Sequence, residues 1–547
     1  MTPHHALRQS LKKATHHASR LAPYAIFAAA AVGATAASFL CARGRYTEAA
    51  AALAAMLATG LIISARVSIE SILIAWFVTS PLASFYVQFP REKTLITYDR
   101  AVFALAALMV IAKCWTGASE RVSDETGKPM PKPFFLSHSS SSTGSAQRVK
   151  VSRFEIIWAA LAALALLSVV MNSNDTGYAM KIAVDAFWLP LIAFHIARWH
   201  FDVRGRIPAL TIGAIALALF LFGVGGYEFL TGANLFPYRG SNIMREGEIR
   251  ANGPFASDSS YAIICSMLAL FLMMIPKAVR TNIDASARFA RVCAVLSAIA
   301  ASLLPLFRAV AAGLFAGWLI IGLGNRKAIK RRSADAIGRE DERAEVNSSS
   351  LRAIGKPQGV RLLAAFAMIM ILGIMAVTLN ASAIGERLAS LRNLYGRLAT
   401  WEAAIGIAID NPFSGVGLMN YNDYFEKKYF DVGRPVEAVL DTRAASFPHS
   451  NLLWIAAELG LFAFALYIIA NIYIFLMGYR GLVKARSYEG RAAAACYIAI
   501  ATAYSIPGLT LASGAYSDLN LYFFFMIGLL LNISNSHNGL HKPEGKS

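Results

Sequence analysis

The stretch "SFPHSNLLWIAAELGLFAFALYIIANIYIFLMG", Ser446–Gly478, decides the fold class. Beyond the polar Pro448-His449-Ser450-Asn451 it is apolar almost throughout, interrupted by Glu458 and Gly460. At about 1.5 Å of rise per residue, a helix over 449–478 is long enough to cross about 30 Å of hydrocarbon. Pro448 and Ser450 fit a helix start, which would put His449 at the mouth of a membrane helix. Glu458 falls about two and a half turns deeper, roughly on the opposite face. A carboxylate there is costly unless it meets a buried donor or lines a polar interior.

Runs of this kind recur along the chain. The spacing predicts spans at 21–41, 47–65, 68–88, 100–117, 154–172, 180–198, 207–230, 259–276, 292–306, 308–324, 362–382, 449–478, 492–512 and 519–535. The pair around Arg308 is either two segments or one broken one. With 547 residues, 56% of them hydrophobic, and a mean hydropathy of +0.49, the chain lies outside the soluble range. The expected fold class is all-α, a polytopic membrane protein with about 12–14 transmembrane helices and a long periplasmic loop carrying short amphipathic helices. The first run follows a basic start, yet its length and the bulky Leu40 before Cys41 predict a retained helix rather than a signal peptide or lipoprotein.

Lysine and arginine collect in alternate loops, which orients the chain, because cytoplasmic loops carry the excess. The expected division runs as a basic cytoplasmic start at 1–20, the first membrane helices over 21–117, and a flexible cytoplasmic loop over 118–153. A membrane region follows over 154–324, with an outer loop at 231–258. A basic cytoplasmic loop at 325–361 opens "NRKAIKRRSADAIGREDER", and 362–535 contains a periplasmic loop at 383–448. A tail at 536–547 puts both termini in the cytoplasm; the "CARGRY" turn runs against the charge rule.

The net charge of +19 sits mostly on that inner face and needs no nucleic acid to explain it. The five cysteines are scattered singly through apolar segments, as small core residues rather than metal ligands. No HExxH or Walker loop occurs, and "GVGG" at 223–226 reads as a packing or kink feature inside a helix. Neither a metal nor a cofactor is expected.

Polar chemistry concentrates in two outer segments. The first, "TGANLFPYRGSNIMREGEIRANGPFASDSSYAIICSML", Thr231–Leu268, carries Arg239, Arg245 and Arg250, with Asp258 at the mouth of the next helix. The second includes "GRLATWEAAIGIAIDNP", apolar at Leu398, Trp401, Ile405, Ala408 and Ile409, which predicts an amphipathic helix ending at Pro412. "NYNDYFEKKYF", 420–430, is either a sugar-contacting lid or part of an interfacial aromatic belt.

These pieces, in order over about residues 240–465, resemble the O-antigen ligase and Wzy-type polysaccharide polymerase superfamily. "IRANGPF" resembles the family's outer-loop arginine before Gly-Pro. "GRLATWEAAIGIAIDNPFSGVG" resembles its Arg-x-x-x-Trp helix with Asn-Pro and Gly-x-Gly. "HSNLLWIAAELG" is similar to its His, then Ser or Asn, nine residues, then Gly, met by His449, Ser450 and Gly460. Ala463 departs from the pattern's last position.

The resemblance implies a membrane-embedded glycosyltransferase using a glycan on undecaprenyl diphosphate. Its further partners would be a glycan acceptor, membrane lipids, and a flippase and chain-length regulators. It would work on the periplasmic side of a bacterial inner membrane, in exopolysaccharide, O-antigen or capsule synthesis. Arginine suits charge growing on a leaving diphosphate, through planar charge-assisted contacts. On the family match Arg250 and Arg397 are expected to bind the diphosphate, with Arg387 and Arg392 as supporting candidates. His449 would be the base, with Ser450 beside it. Glu402 either steers an arginine or lies on a solvated face. The Ala463 departure and the chain's length favour a polymerase; a ligase acting on lipid A core and a protein O-glycosyltransferase stand beside it. A lipid-linked oligosaccharide transporter would instead show internal repeats and charges within helices, such as Glu70, Asp185 and Arg308.

Overall fold

A computed structural model describes residues 68–89, 96–119, 151–236, 244–245, 248–279, 285–305, 307–340, 392–426, 448–485 and 487–537. The spans expected at 21–41, 47–65 and 362–382 lie outside these residues, as do Arg239, Arg387, the end segments 1–20 and 538–547, and 341–361. Every other expected span coincides with a helix, and among the described residues six helices are long and apolar enough to cross a membrane. The chain is an all-α polytopic membrane protein. The strands among the described residues are two hairpin pairs of two residues each, Gln88–Phe89 with Ile96–Thr97 and Met244–Arg245 with Glu248–Ile249.

Two compact units divide the chain, residues 1–152 with 199–202 and residues 153–198 with 203–547. In the first, α1 (Ile69–Tyr86) packs on α2 (Tyr98–Ser119). The buried Asp99 carboxylate accepts from Trp76 Nε1 at 2.7 Å, Ser80 Oγ at 2.6 Å and Ser84 Oγ at 2.9 Å, which compensates its removal from water.

The second unit contains α3 (Arg153–Asn172), then α4 (Thr176–Ala183) joined through a π turn, Val184–Trp188, to α5 (Leu189–Trp199). It continues with α6 (Val203–Thr231), α7 (Asp258–Val279), α8 (Ala285–Leu303) and α9 (Arg308–Glu340). The pair around Arg308 is thus two helices, and α9 carries helix on into the stretch expected as a loop from 325. After α10 (Arg392–Asp410) come a single turn, α11 (Tyr421–Tyr424), then α12 (Asn451–Lys484), α13 (Tyr488–Gly508) and α14 (Ser517–His537). Alanine-rich α13 is buried nearly end to end and lies close against α9, because a side chain at Gly317 would meet the Ala499 carbonyl. Gly225 of the "GVGG" stretch has the same reason, since Tyr261 occupies the space a Cβ would need.

The helix that opened the sequence reading is broken. Gly460 has φ 83°, so the Ala457 and Glu458 carbonyls lose their helical partners and accept instead from Val416 N and Gly417 N, each at 3.0 Å. Leu461 N donates to the Pro412 carbonyl at 2.8 Å. A Cβ on Gly460 would overlap the Phe413 carbonyl, and one on Gly415 (φ 63°) the Glu458 carbonyl. This clasp ties the exit of α10 to the first turns of α12.

Candidate functional site

Helix α10 forms as its period predicts, but of its expected stripe only Ala408 is buried and Trp401 half-buried. Ala399, Thr400, Ala403, Ala404, Ile407 and Ala408 face the protein, while the expected stripe residues Leu398, Ile405 and Ile409 are 45%, 49% and 69% exposed. Small side chains let α10 approach α12 closely, and Ala403, Ala404 and Ile407 share one core with Val416, Tyr421, Phe425 and Ala457. Of the aromatic residues in 420–430, Tyr421 and Phe425 face the protein and form neither a lid nor an interfacial belt, while Tyr424 is exposed. Tyr421 and Phe425 are buried and stacked at 5.9 Å, and the Tyr421 hydroxyl donates to the Thr400 carbonyl at 2.9 Å.

Glu458 lies at the centre of this junction. It is fully buried, accepting from Trp454 Nε1 at 2.6 Å and from the Tyr421 backbone N–H at 3.2 Å. Its part is structural, holding the loop over 412–421 against α12. Asn420 extends the tie to α3, donating to the Asn172 carbonyl at 2.6 Å and accepting from Asn174 N at 3.2 Å.

On this frame Trp401 Nε1 donates to the His449 carbonyl at 3.1 Å. Arg397 precedes Trp401 by one turn and so shares its face. Burial, and then the Arg397 charge, lower the His449 pKa from 6.5 to about 4. The ring is therefore neutral near pH 7. Arg397 is itself lowered, by burial first and then by Arg308. Arg308, the exposed first residue of α9, thus lies within electrostatic reach of Arg397. Ser450 is buried at the cap position of α12, where its carbonyl accepts from Trp454 N at 3.0 Å. Glu402 is exposed on α10, and the Arg392 side chain lies outside the described residues.

Arg250 sits in the segment between α6 and α7, its Nη1 4.0 Å from Asp258 Oδ2. A second buried carboxylate fixes that loop. Glu228 accepts from Leu235 N at 3.3 Å, Asn252 N at 3.0 Å and Gly253 N at 2.7 Å, folding the segment after Arg250 back onto the end of α6. Gly253, at φ 56°, packs on the Tyr261 ring where no side chain would fit. Among the described residues no three His, Cys, Asp or Glu side chains converge as a metal site requires.

Sequence reasoning missed Glu228 and Arg308 as parts of a site. Glu228 is a lone carboxylate closing an apolar run, and the cost of burying it was the available signal. Arg308 was visible as a charge between two spans, but nothing local links it to a helix far along the chain.

A family model described as O-antigen ligase matches residues 293–468, a stretch that includes Arg308, Arg397, His449, Glu458 and Gly460. The resemblance drawn from the ordered motifs is borne out over that stretch. Comparison with curated proteins found no match.

Proposed function

We propose that this chain is a polymerase that transfers glycan from undecaprenyl diphosphate to a sugar hydroxyl on the periplasmic side of a bacterial inner membrane. The observation that carries the reading is His449 at the start of α12, tied through its carbonyl to Trp401 of α10 and kept neutral by burial and the Arg397 charge. In the reaction the acceptor hydroxyl oxygen bonds to the anomeric carbon as the bond from that carbon to the diphosphate oxygen breaks. His449 takes the hydroxyl proton through its unprotonated ring nitrogen. Arg397, Arg308 and Arg250 meet the charge that develops on the leaving diphosphate. Donor binding also tunes the base, since a diphosphate beside Arg397 offsets the cation that depresses His449 and so raises its basicity. The charge pattern of the loops supports the inward placement of both termini.

A ligase acting on lipid A core is the second reading, favoured by the description of the matching family. Ala463, buried in α12 where the ligase pattern differs, favours the polymerase. A deletion strain complemented with wild type or His449→Ala separates them. A failed polymerase leaves single repeats, whereas a failed ligase accumulates long undecaprenyl-linked chains. Full surface glycan from the His449→Ala strain would reject both.

A further inference from the structure

The turn between α13 and α14, residues 509–516, lies beyond the family-matched stretch and carries none of the proposed catalytic groups, yet it makes polar contacts with both outer loops of the site. Asn451, two residues after His449, is buried. Its Oδ1 accepts from Gly514 N at 2.7 Å and its Nδ2 donates to Ser513 Oγ at 3.0 Å. Gly508 and Gly514 are small where they receive it; a Cβ on Gly514 would stand 3.2 Å from Asn451 Oδ1. The turn is held in turn by α14, because Asn520 Nδ2 donates to the Gly514 carbonyl and Asn520 Oδ1 accepts from the Tyr504 hydroxyl, both at 2.6 Å. On its other side the Tyr516 side chain hydrogen-bonds Ser257 and Ser259, which flank Asp258, the partner of Arg250. Asp518 Oδ1 accepts from Ser260 Oγ at 3.3 Å. A continuous series of buried and half-buried polar contacts therefore runs from the residues after His449, through this turn, to the residue that pairs with Arg250.

We infer that Asn451 and the 509–518 segment are positioning elements that fix the His449 end of the site against the Arg250 loop. Asn451 and Ser513 hold the histidine side, and Tyr516 holds the arginine side. The kinetic consequence rests on the proposed glycosyl transfer; the placement of His449 does not. Buried polar networks of this kind narrow the geometries open to the groups they hold, and small misplacements of a catalytic group cost rate steeply.

The test uses full-length protein in lipid nanodiscs, as wild type, Asn451→Ala, Ser513→Ala and Tyr516→Phe. Diethyl pyrocarbonate modification is followed at His449 by peptide-resolved mass spectrometry across pH, with His195, paired to Glu155 elsewhere in the bundle, as internal control. Transfer from a purified undecaprenyl-diphosphate-linked glycan is measured alongside. In Asn451→Ala and Ser513→Ala the midpoint of His449 modification should move up from about 4 toward the ordinary 6.5, with His195 unchanged. In the same variants kcat should fall about 10- to 100-fold at unchanged donor KM. Tyr516→Phe should raise donor KM and leave the His449 midpoint in place. An unchanged His449 profile in both Asn451→Ala and Ser513→Ala overturns the inference whatever the activity. A shift that releases His195 equally marks general loosening and overturns it too. A wild type without transfer, but with the His449 shift present in the variants, would defeat the glycosyltransferase reading and leave the positioning role standing.

Discussion

At the scale of residues, the decisive fact is that the Arg397 charge acts on His449 although the two stand 52 positions apart in the chain. Their pairing makes three outcomes measurable. His449→Ala should lower kcat by about 10²- to 10⁴-fold, the usual loss for a general base, in a reconstituted transfer assay. Arg397→Lys should recover less than half of the wild-type rate, because an ammonium cannot reproduce the guanidinium's planar, bidentate contact; full recovery would reduce Arg397 to a point charge. The pH dependence follows from the depressed imidazole. Between about 6.5 and about 4 the unfolded chain takes up a proton that the native His449 refuses, so stability falls as pH falls through that window. His449→Gln should flatten this limb in thermal unfolding measured against pH. The His motif was legible in the sequence because its spacing is local. The cations were only partly legible, since Arg397 stood out by motif whereas Arg308 is recognised only through its electrostatic effect on Arg397 in the folded chain.

At the scale of elements, two buried glutamates do the same work at different places. Glu228 gathers the backbone N–H groups around Arg250, and Glu458 those of the loop that carries α10 toward His449. Removing either acceptor leaves buried donors unpaired, at ~1–3 kcal/mol for each. Glu458→Ala should therefore lower the unfolding midpoint in detergent, and limited proteolysis should cut first within 411–426. Gly460→Ala should fail more severely, because the new Cβ meets the Phe413 carbonyl and the backbone angle is left-handed. Restoration of wild-type stability by a compensating change elsewhere would argue against the clasp. The amphipathic period of α10 was legible, but which of its sides faces inward was not. Alanine allows helices to approach more closely than leucine or isoleucine does, so tight packing against α12 overrode the larger side chains.

At the scale of the whole molecule, side-chain contacts within the second unit link Asn174 to the loop after α10, Trp401 of α10 to His449, and the 509–516 turn to both Asn451 and the segment after Arg250. Single cysteines introduced at Ser414 and Thr510 in a cysteine-free background should react with a membrane-impermeant maleimide in intact spheroplasts. A cysteine at Arg480 should react only after permeabilisation, and the reverse pattern would invert the proposed orientation. The sequence by itself determined the membrane class, the helix positions and the family signature, because hydrophobic length, loop charge and motif spacing are properties of neighbouring residues. Only the tertiary structure decided that the Arg397 charge acts on the histidine, where the long helix breaks, and how the 509–516 turn connects Asn451 with the loop that carries Arg250. Those features depend on buried polar groups finding partners tens to hundreds of residues away, and the cost of leaving them unpaired selects the arrangement only once the helices are packed.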